Sequence, residues 1–354
     1  MVKQIWRIFL ILVMSMGLVA CQLDVPETKD NANAQDNKTE VEGKKDNKEQ
    51  EKKRKDEEEN QAASASKSKD TKKKADGKIE SGKGGYLWRV QNGDTTVYLQ
   101  GTIHLGVEDF YPLNDAIEEA YESADVVVPE VDITEIDLFS SIGSTLIHGV
   151  YIDGTTIKDH ISKDLYKKLE ETFDKQGLPI DIVKFFKPWL LTSTVNQLAA
   201  MELGYDSGVD VYFLERAKED GKEILELESV SEQYGVLSGQ SPEFQERQLE
   251  ETLDSLNDFE NVMQQMFSLY LDGDEEAMLD YLFPSDVEQD KEYEEYMKAL
   301  NDDRNKNMAE KIAGYLEEGS DKTYFVIVGT LHLIKEPHIR SLLEEKGYEV
   351  ERIY

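Results

Sequence analysis

The chain has 354 residues, a single cysteine and a formal net charge of −34, because 74 Asp and Glu residues outnumber 40 Lys and Arg residues. An acidic excess of this size argues against nucleic-acid binding, which requires basic patches that contact phosphates. It suits a protein kept soluble outside the cell, and solvated surface explains most of it, so it identifies no substrate. One cysteine excludes an intrachain disulfide and a cysteine cluster for zinc.

The N-terminus has the pattern of a targeting segment. Two basic residues precede an apolar stretch over residues 8–19, which is short for a membrane-spanning helix. Residues 18–21 have the sequence Leu-Val-Ala-Cys, which resembles the lipobox of bacterial lipoproteins. We therefore predict that residues 1–20 are a signal peptide, that Cys21 carries a lipid, and that the protein is anchored in the cell membrane on the extracellular side. An ordinary signal peptide with an incidental cysteine is the alternative.

Residues 21–85 are predicted to form the lipidated cysteine and a charged linker. From residue 24 to residue 85 the chain contains 16 Lys and Arg and 16 Asp and Glu residues, with almost no large apolar side chains. Such a composition cannot bury enough surface to offset chain entropy, so we expect a disordered tether. Residues 86–354 hold 58 of the 74 acidic residues and 22 of the 40 basic ones, and their length suits one domain.

The first elements of this domain are predicted to alternate between strand and helix. Residues 88–99 favour a β-hairpin, because their Asn-Gly pair tolerates the positive φ of a tight turn. A helix is expected over residues 114–122 with Asn114 as its N-cap, followed by a short buried strand over residues 125–130. The order strand, helix, strand favours parallel pairing of the strands.

The rest of the domain is predicted to be helical in its middle and to return to strands at its end. Apolar spacing near 3.6 residues predicts helices at 162–175, 188–203, 208–220 and, as an amphipathic run, 242–318. Further strands are expected at 223–228, 323–328 and 348–353, with a helix at 337–346. We therefore predict an α/β fold, with a central mixed β-sheet flanked by helices, in which residues 97–100 and 324–328 meet.

One short motif occurs twice. Residues 97–105 and 325–333 each consist of an apolar run, then Gly-Thr, one aliphatic residue and His-Leu. The glycine lets the backbone leave the strand, so each motif is expected to place its histidine, His104 or His332, on a loop beyond a strand end. Imidazole can bind a metal or move a proton near pH 7, so the pair forms a candidate site.

Two glutamates also lie directly after predicted strands. Glu130 and Glu228 each follow a predicted strand, as His104 and His332 do. Because sites in open α/β sheets form at the carboxyl ends of strands, these four residues are expected to meet at one edge. Two imidazoles with one or two carboxylates make a plausible divalent metal site.

A series of short motifs follows along residues 86–354: Gly101-Thr102-Ile103-His104-Leu105-Gly106, Pro129-Glu130, Lys187-Pro188-Trp189, Gly208-Val209-Asp210, Leu227-Glu228 with Glu232-Gln233, Arg304-Asn305 and Val328-Gly329-Thr330-Leu331-His332-Leu333. In these motifs and their order, the domain resembles the TraB/GumN family, which includes the Tiki proteases. The resemblance implies a fold like that of erythromycin esterase and ChaN-like proteins, and metal-dependent cleavage of an extracellular peptide or protein.

The resemblance also implies roles for five residues. His104, Glu130 and His332 would hold a divalent ion, for which manganese, cobalt and zinc are equally suitable. Glu130 or Glu228 would accept a proton from water, and Arg304 would stabilise the developing oxyanion. Two other functions stay open: a non-catalytic lipoprotein that sequesters a peptide, and a hydrolase of small esters.

Each candidate residue also has a structural interpretation. Glu130 can cap a strand end, Arg304 can form a surface ion pair, and Asp210 is interpreted as a helix charge or cap rather than a ligand. Motifs of zincins, serine hydrolases and nucleotide-binding loops are absent from the sequence. The remaining histidines are interpreted as solvated, His148 and His160, or as a weak alternative ligand, His338.

Overall fold

The computed structural model describes residues 82–134, 142–285 and 289–354. The predicted signal peptide at 1–20, the lipid site at Cys21 and nearly all of the predicted linker lie outside these residues. None of the helices within the described ranges is long and apolar enough to cross a membrane.

A mixed six-stranded sheet forms the centre of the described domain. Its order is β4-β3-β5-β2-β1-β6. Strands β2, β3, β4 and β5 pair in parallel, whereas β1 is antiparallel to both β2 and β6. The strands span Tyr86–Asn92 (β1), Thr95–Thr102 (β2), Val126–Pro129 (β3), Glu223–Ile224 (β4), Thr323–Gly329 (β5) and Val350–Arg352 (β6). The predicted α/β fold with a central mixed sheet is therefore confirmed.

The two copies of the duplicated motif lie side by side. Strand β2 pairs with β5 in parallel, with Val97 opposite Tyr324 and Thr102 opposite Gly329, so the copies are staggered by one residue. The predicted meeting of residues 97–100 and 324–328 is confirmed. Since both strands run in the same direction, both histidines leave the sheet at the same edge.

Helices surround the sheet and fill the middle of the chain. Asn114 caps the first helix, as predicted, with its side chain accepting a hydrogen bond from Ala116 N at 2.9 Å. The α-helices span Asp115–Ser123 (α1), Ile157–His160 (α2), Lys163–Lys175 (α3), Pro188–Leu203 (α4), Val209–Asp220 (α5), Val230–Ser238 (α6), Pro242–Ser255 (α7), Phe259–Asp272 (α8), Glu275–Leu282 (α9), Lys291–Met297 (α10), Asp303–Glu317 (α11), Leu331–Ile334 (α12) and Ile339–Glu345 (α13).

Several element boundaries differ from the sequence prediction, among them the end of β4 and the start of α13. Strand β4 ends at Ile224, although backbone hydrogen bonds to the end of β3 continue as far as Glu228 N, which donates to Glu130 O at 2.8 Å. Helix α13 begins at Ile339 rather than at residue 337, because His338 is its N-cap and accepts from Ser341 N at 2.8 Å.

A second apolar cluster lies away from the sheet, among helices α2, α3, α4 and α7. Its largest members are Phe173 and Leu169, both almost fully buried. Helix α7 also carries Glu251, which is buried and whose Oε2 has no hydrogen-bond partner among the described residues. Burial raises the pKa of this carboxyl to about 7, against an opposing effect of Arg247.

The raised pKa of Glu251 predicts a pH-dependent stability. The folded protein keeps a proton that the unfolded chain loses near pH 4.5, so the stability contributed by this group falls as pH rises from about 4.5 to about 7. Glu251→Gln should therefore exceed the wild type in free energy of unfolding by about 3 kcal/mol at pH 8, with little difference at pH 4. Urea denaturation across this pH range measures it. Glu250→Gln, at an exposed neighbouring position, is the control; equal pH profiles for Glu251→Gln and the wild type would contradict the prediction.

Candidate active site

The five residues predicted for the site come together at the carboxyl edge of the parallel strands. His104 follows β2, Glu130 follows β3, Glu228 lies beside Glu130, and Arg304 reaches them from α11. His332 follows β5, but it lies on the short helix α12 rather than on a loop, because Leu333 N and Ile334 N donate back to Thr330 O. All five are buried, with exposed fractions between 0% and 8%.

Arg304 is held between the two glutamates. Its Nη2 donates to Glu130 Oε2 at 2.5 Å and to Glu228 Oε2 at 2.6 Å, and its Nε donates to Glu228 Oε1 at 2.9 Å. Burial alone would lower the pKa of Arg304, but the two carboxylates raise it above its usual value. Gln233 Nε2 donates to both carboxylates at 3.2 Å. The group is therefore a closed buried ion network.

Glu130 connects this network to the histidines. Its Oε1 accepts a hydrogen bond from Gly329 N at 2.7 Å and lies 3.7 Å from His332 Nε2. Burial would raise the pKa of Glu130, but Arg304 and the nearby imidazoles lower it to about 2. Glu130 is thus a carboxylate at neutral pH.

His332 is positioned by Asn305. The amide nitrogen of Asn305 donates to Pro337 O at 2.8 Å, so its oxygen faces the imidazole and lies 2.6 Å from His332 Nδ1. Nδ1 therefore carries the proton and Nε2 carries the lone pair. Burial and Arg304 lower the pKa of His332 to about 3, so the ring is neutral at pH 7.

His104 has a charged partner instead. Its Nδ1 lies 2.7 Å from Asp210 Oδ2. Burial lowers the pKa of His104, but Asp210 more than offsets this, and the pKa is raised. The Nε2 atoms of His104 and His332 are both buried and have no hydrogen-bond partner among the described residues.

Two glycines allow this close arrangement. A Cβ on Gly329 would lie 3.4 Å from Glu130 Oε1, 3.6 Å from His332 Cδ2 and 3.8 Å from His104 Nε2. A Cβ on Gly208 would lie 2.3 Å from His104 O, so glycine there lets the start of α5 approach and places Asp210 on the imidazole. A cavity lined by His104, Glu130, Asp210 and Gln233, among others, has a volume of about 10 Å³, room for one water-sized molecule.

The two histidines fit a divalent metal ion. Each ring has one nitrogen fixed by a hydrogen bond and the other free, which is the usual state of metal-binding histidine. Glu130 Oε1 is the nearest carboxylate oxygen, but this carboxylate already accepts bonds from Arg304, Gln233 and Gly329. Within the described ranges, no three His, Cys, Asp or Glu side chains are grouped as a metal site would require. Glu130 as a ligand therefore stays a prediction.

Sequence reasoning missed three residues that position the site: Asp210, Gln233 and Asn305. Each occurs in a motif of the resemblance, but local spacing gave no distant partner for it. The contacts of Asp210 with His104, of Gln233 with Glu130 and of Asn305 with His332 join residues far apart in the chain. The other histidines lie elsewhere: His160 is exposed and stacks on Tyr151, His338 caps α13, and His148 contacts Ser238.

Comparison with known proteins identifies the family of the chain. The model of the TraB/PrgY/gumN family matches residues 86–352, so the chain belongs to that family. It is 24% identical over 254 residues to the uncharacterized protein YbaP of Escherichia coli, which covers 71% of this chain and 89% of YbaP. It is 23% identical over 324 residues to Metalloprotease TIKI1 of Danio rerio, which covers 75% of this chain and 62% of the relative.

The human Metalloprotease TIKI1 is also 23% identical, over 317 residues that cover 75% of this chain and 61% of the relative. The chain thus spans about three fifths of the length of the TIKI proteins. No solved structure matches it. The family and these distant relatives point to hydrolase chemistry.

The buried ion network predicts a large cost for removing its cation. Arg304→Met leaves Glu130 and Glu228 charged, buried and without their counter-ion, so the free energy of unfolding at pH 7 should fall by about 3–5 kcal/mol. The loss should shrink as pH falls, because Glu130 without Arg304 no longer has its pKa held low and can then be protonated. Urea denaturation at pH 7 and pH 5 measures both effects.

Lys322→Met is the matched control, because Lys322 pairs with Glu223 at 2.8 Å on the exposed surface. It should cost no more than about 1 kcal/mol. If Lys322→Met and Arg304→Met lower the free energy of unfolding by similar amounts, the buried network contributes no more to stability than an exposed ion pair does.

Proposed function

We propose that the protein is a metal-dependent peptide hydrolase, held on the extracellular side of the cell membrane by a lipid on Cys21. The observation that carries the proposal is the pair of buried Nε2 atoms of His104 and His332, which have no partner among the described residues and belong to rings that both come within 4 Å of the space beside Gly329. Buried polar atoms are normally paired, so two unpaired nitrogens at one point indicate a ligand. The names of the TIKI relatives support peptide cleavage.

His104 and His332 would hold the ion, with Glu130 as the nearest oxygen ligand. A bound manganese, cobalt or zinc ion would polarise the scissile carbonyl and acidify water. Asp210 and Asn305 keep each imidazole in a fixed orientation. The Gly329 backbone N–H holds Glu130 Oε1 beside the two rings.

Glu130 and Glu228 would orient the attacking water and accept its proton. Arg304 fixes both carboxylates, and its charge is balanced by theirs. We therefore assign Arg304 to positioning these groups. Direct contact with an oxyanion, which the resemblance suggested, would require a carboxylate to be displaced from the guanidinium.

The first test concerns the two histidines. His104→Ala and His332→Ala should each weaken binding of Mn²⁺ and Co²⁺ by at least about 10- to 100-fold and abolish peptide cleavage. Calorimetry measures binding, and mass spectrometry of a peptide library with and without chelator measures cleavage. His160→Ala, at an exposed position, should change neither. Wild-type metal affinity in both motif variants would refute the proposal, and peptide retention without fragments under any metal would favour the sequestering alternative.

Both histidines are buried, so removing either one also affects the stability of the domain. Gly329→Ala tests the site while keeping both histidines. The added methyl has ordinary contacts of 3.4–3.8 Å with Glu130, His332 and His104, so the domain should stay folded. It occupies the space between them, and should lower metal affinity and cleavage at least about tenfold. Circular dichroism and calorimetry measure the two effects. Gly314→Ala, where a methyl meets nothing within 4 Å, is the control; unchanged metal affinity in Gly329→Ala would contradict the assignment of this space.

The anchor is tested separately. Metabolic labelling with a lipid precursor should tag the wild-type protein and fail to tag Cys21→Ala, because the thiol is the proposed lipid attachment site. In cell fractionation, Cys21→Ala should then be found in the medium rather than in the membrane fraction. Labelling of the variant, or no labelling of the wild type, would refute lipidation while leaving the proposed chemistry untouched.

A further inference from the structure

Six large apolar side chains are exposed on two segments of the chain that lie next to each other. They belong to two segments, residues 142–152 and 182–185, that are held together by backbone hydrogen bonds, including Tyr151 N to Phe185 O at 2.8 Å and Lys187 N to Gly149 O at 2.7 Å. We call these six the apolar surface: Ile142 (47% exposed), Leu146 (51%), Ile147 (71%), Ile152 (80%), Ile182 (62%) and Phe185 (43%). Clustered exposure of this kind marks an interaction site.

The apolar surface is attached to the helix that forms one wall of the site. His148, between its residues, contacts Ser238 of α6 at 3.1 Å, and His148 O accepts from Trp189 Nε1 at 3.0 Å. The Trp189 ring packs edge-on against Tyr234 of the same helix. Helix α6 also carries Gln233, which binds both site carboxylates. The surface and the site therefore share a rigid support.

The cavity at the site is small, and it is lined in part by Val131 and Ile133. This cavity of about 10 Å³ has no room for a substrate side chain. Recognition of a peptide must therefore come from surfaces outside it.

The distribution of charged residues around the apolar surface indicates which kind of partner fits it. Residues 142–152 contain no Asp, Glu, Lys or Arg, in a domain with 58 acidic residues. Lys184, beside Phe185, is paired with Asp181 at 3.0 Å. Docking to an anionic membrane is favoured by clustered basic residues, and the acidic domain opposes it. An uncharged apolar peptide is not repelled by the acidic domain.

We propose that the apolar surface docks an apolar, uncharged stretch of the peptide substrate and so directs the neighbouring peptide bond to the site at His104 and His332. This inference rests on the proposed function for the cleavage step, but not for binding. The surface selects substrates by apolar side chains on one side of the cleaved bond.

The experiment uses the full chain and two short fluorescein-labelled peptides, one of Leu, Ile, Val and Ala, the other of Ser, Asn and Gly. Fluorescence anisotropy measures binding. The variant Ile147→Ser/Ile152→Ser/Ile182→Ser should bind the apolar peptide at least about tenfold more weakly, and the wild type should not bind the polar peptide. Because these side chains are exposed, thermal unfolding should not change.

Met201→Ser is the matched control. Met201 is 49% exposed, and it lies on α4 about 20 Å along the helix axis from Pro188. It should bind the apolar peptide like the wild type. The proposal is overturned if the triple variant and the wild type bind the apolar peptide with equal affinity. It is also overturned if the triple variant loses only self-association or only binding to phosphatidylcholine vesicles.

Cleavage of unlabelled apolar peptides separates this inference from the proposed function. Tight binding by the wild type without fragments supports the docking surface and refutes the hydrolase. Cleavage that is equally efficient in the wild type and the triple variant supports the hydrolase and refutes the docking surface. If both hold, the triple variant should raise KM and leave kcat unchanged.

Discussion

The buried guanidinium of Arg304 is the interaction on which the rest of the site depends. It binds Glu130 and Glu228, which come from strand ends and loops far apart in the chain. Bringing three charges out of water is costly, and this cost is offset only when every partner is in place. The network therefore stabilises a single arrangement of α11, β3 and the chain after β4, and that arrangement sets where Oε1 of Glu130 lies.

The parallel pairing of β2 and β5 then brings the histidines to that oxygen. Because the duplicated motifs lie on adjacent strands, His104 and His332 leave the sheet at the same edge, and Gly329 leaves room where they approach Glu130. A side chain at that glycine would separate the three groups. The strand order and the absence of a Cβ at Gly329 thus bring the two copies of the duplicated motif together in one site.

Much of this was predictable from local sequence. Strand periodicity, the Asn114 cap and the rule that sites lie at strand ends predicted the fold class and placed four of the site residues at one edge. The partners Asp210, Gln233 and Asn305 were not predictable, because each acts across more than 25 residues of sequence or between separate elements. Asp210 also has the position of an ordinary helix charge. Burial of the histidines was missed for a similar reason: it depends on α5 and α11 covering the strand ends.

The two copies of the motif carry equivalent histidines that are not chemically equivalent. Burial would lower the pKa of His104, but Asp210 raises it, whereas burial and the charge of Arg304 lower the pKa of His332, whose Nδ1 partner Asn305 is neutral. Groups whose environments separate their pKa values are the usual source of distinct roles within one site. The duplication sets the positions of the rings, and the residues that contact each Nδ1 set their charge. His332 therefore has the environment of a neutral imidazole at pH 7, whereas the Asp210 carboxylate favours the protonated form of His104.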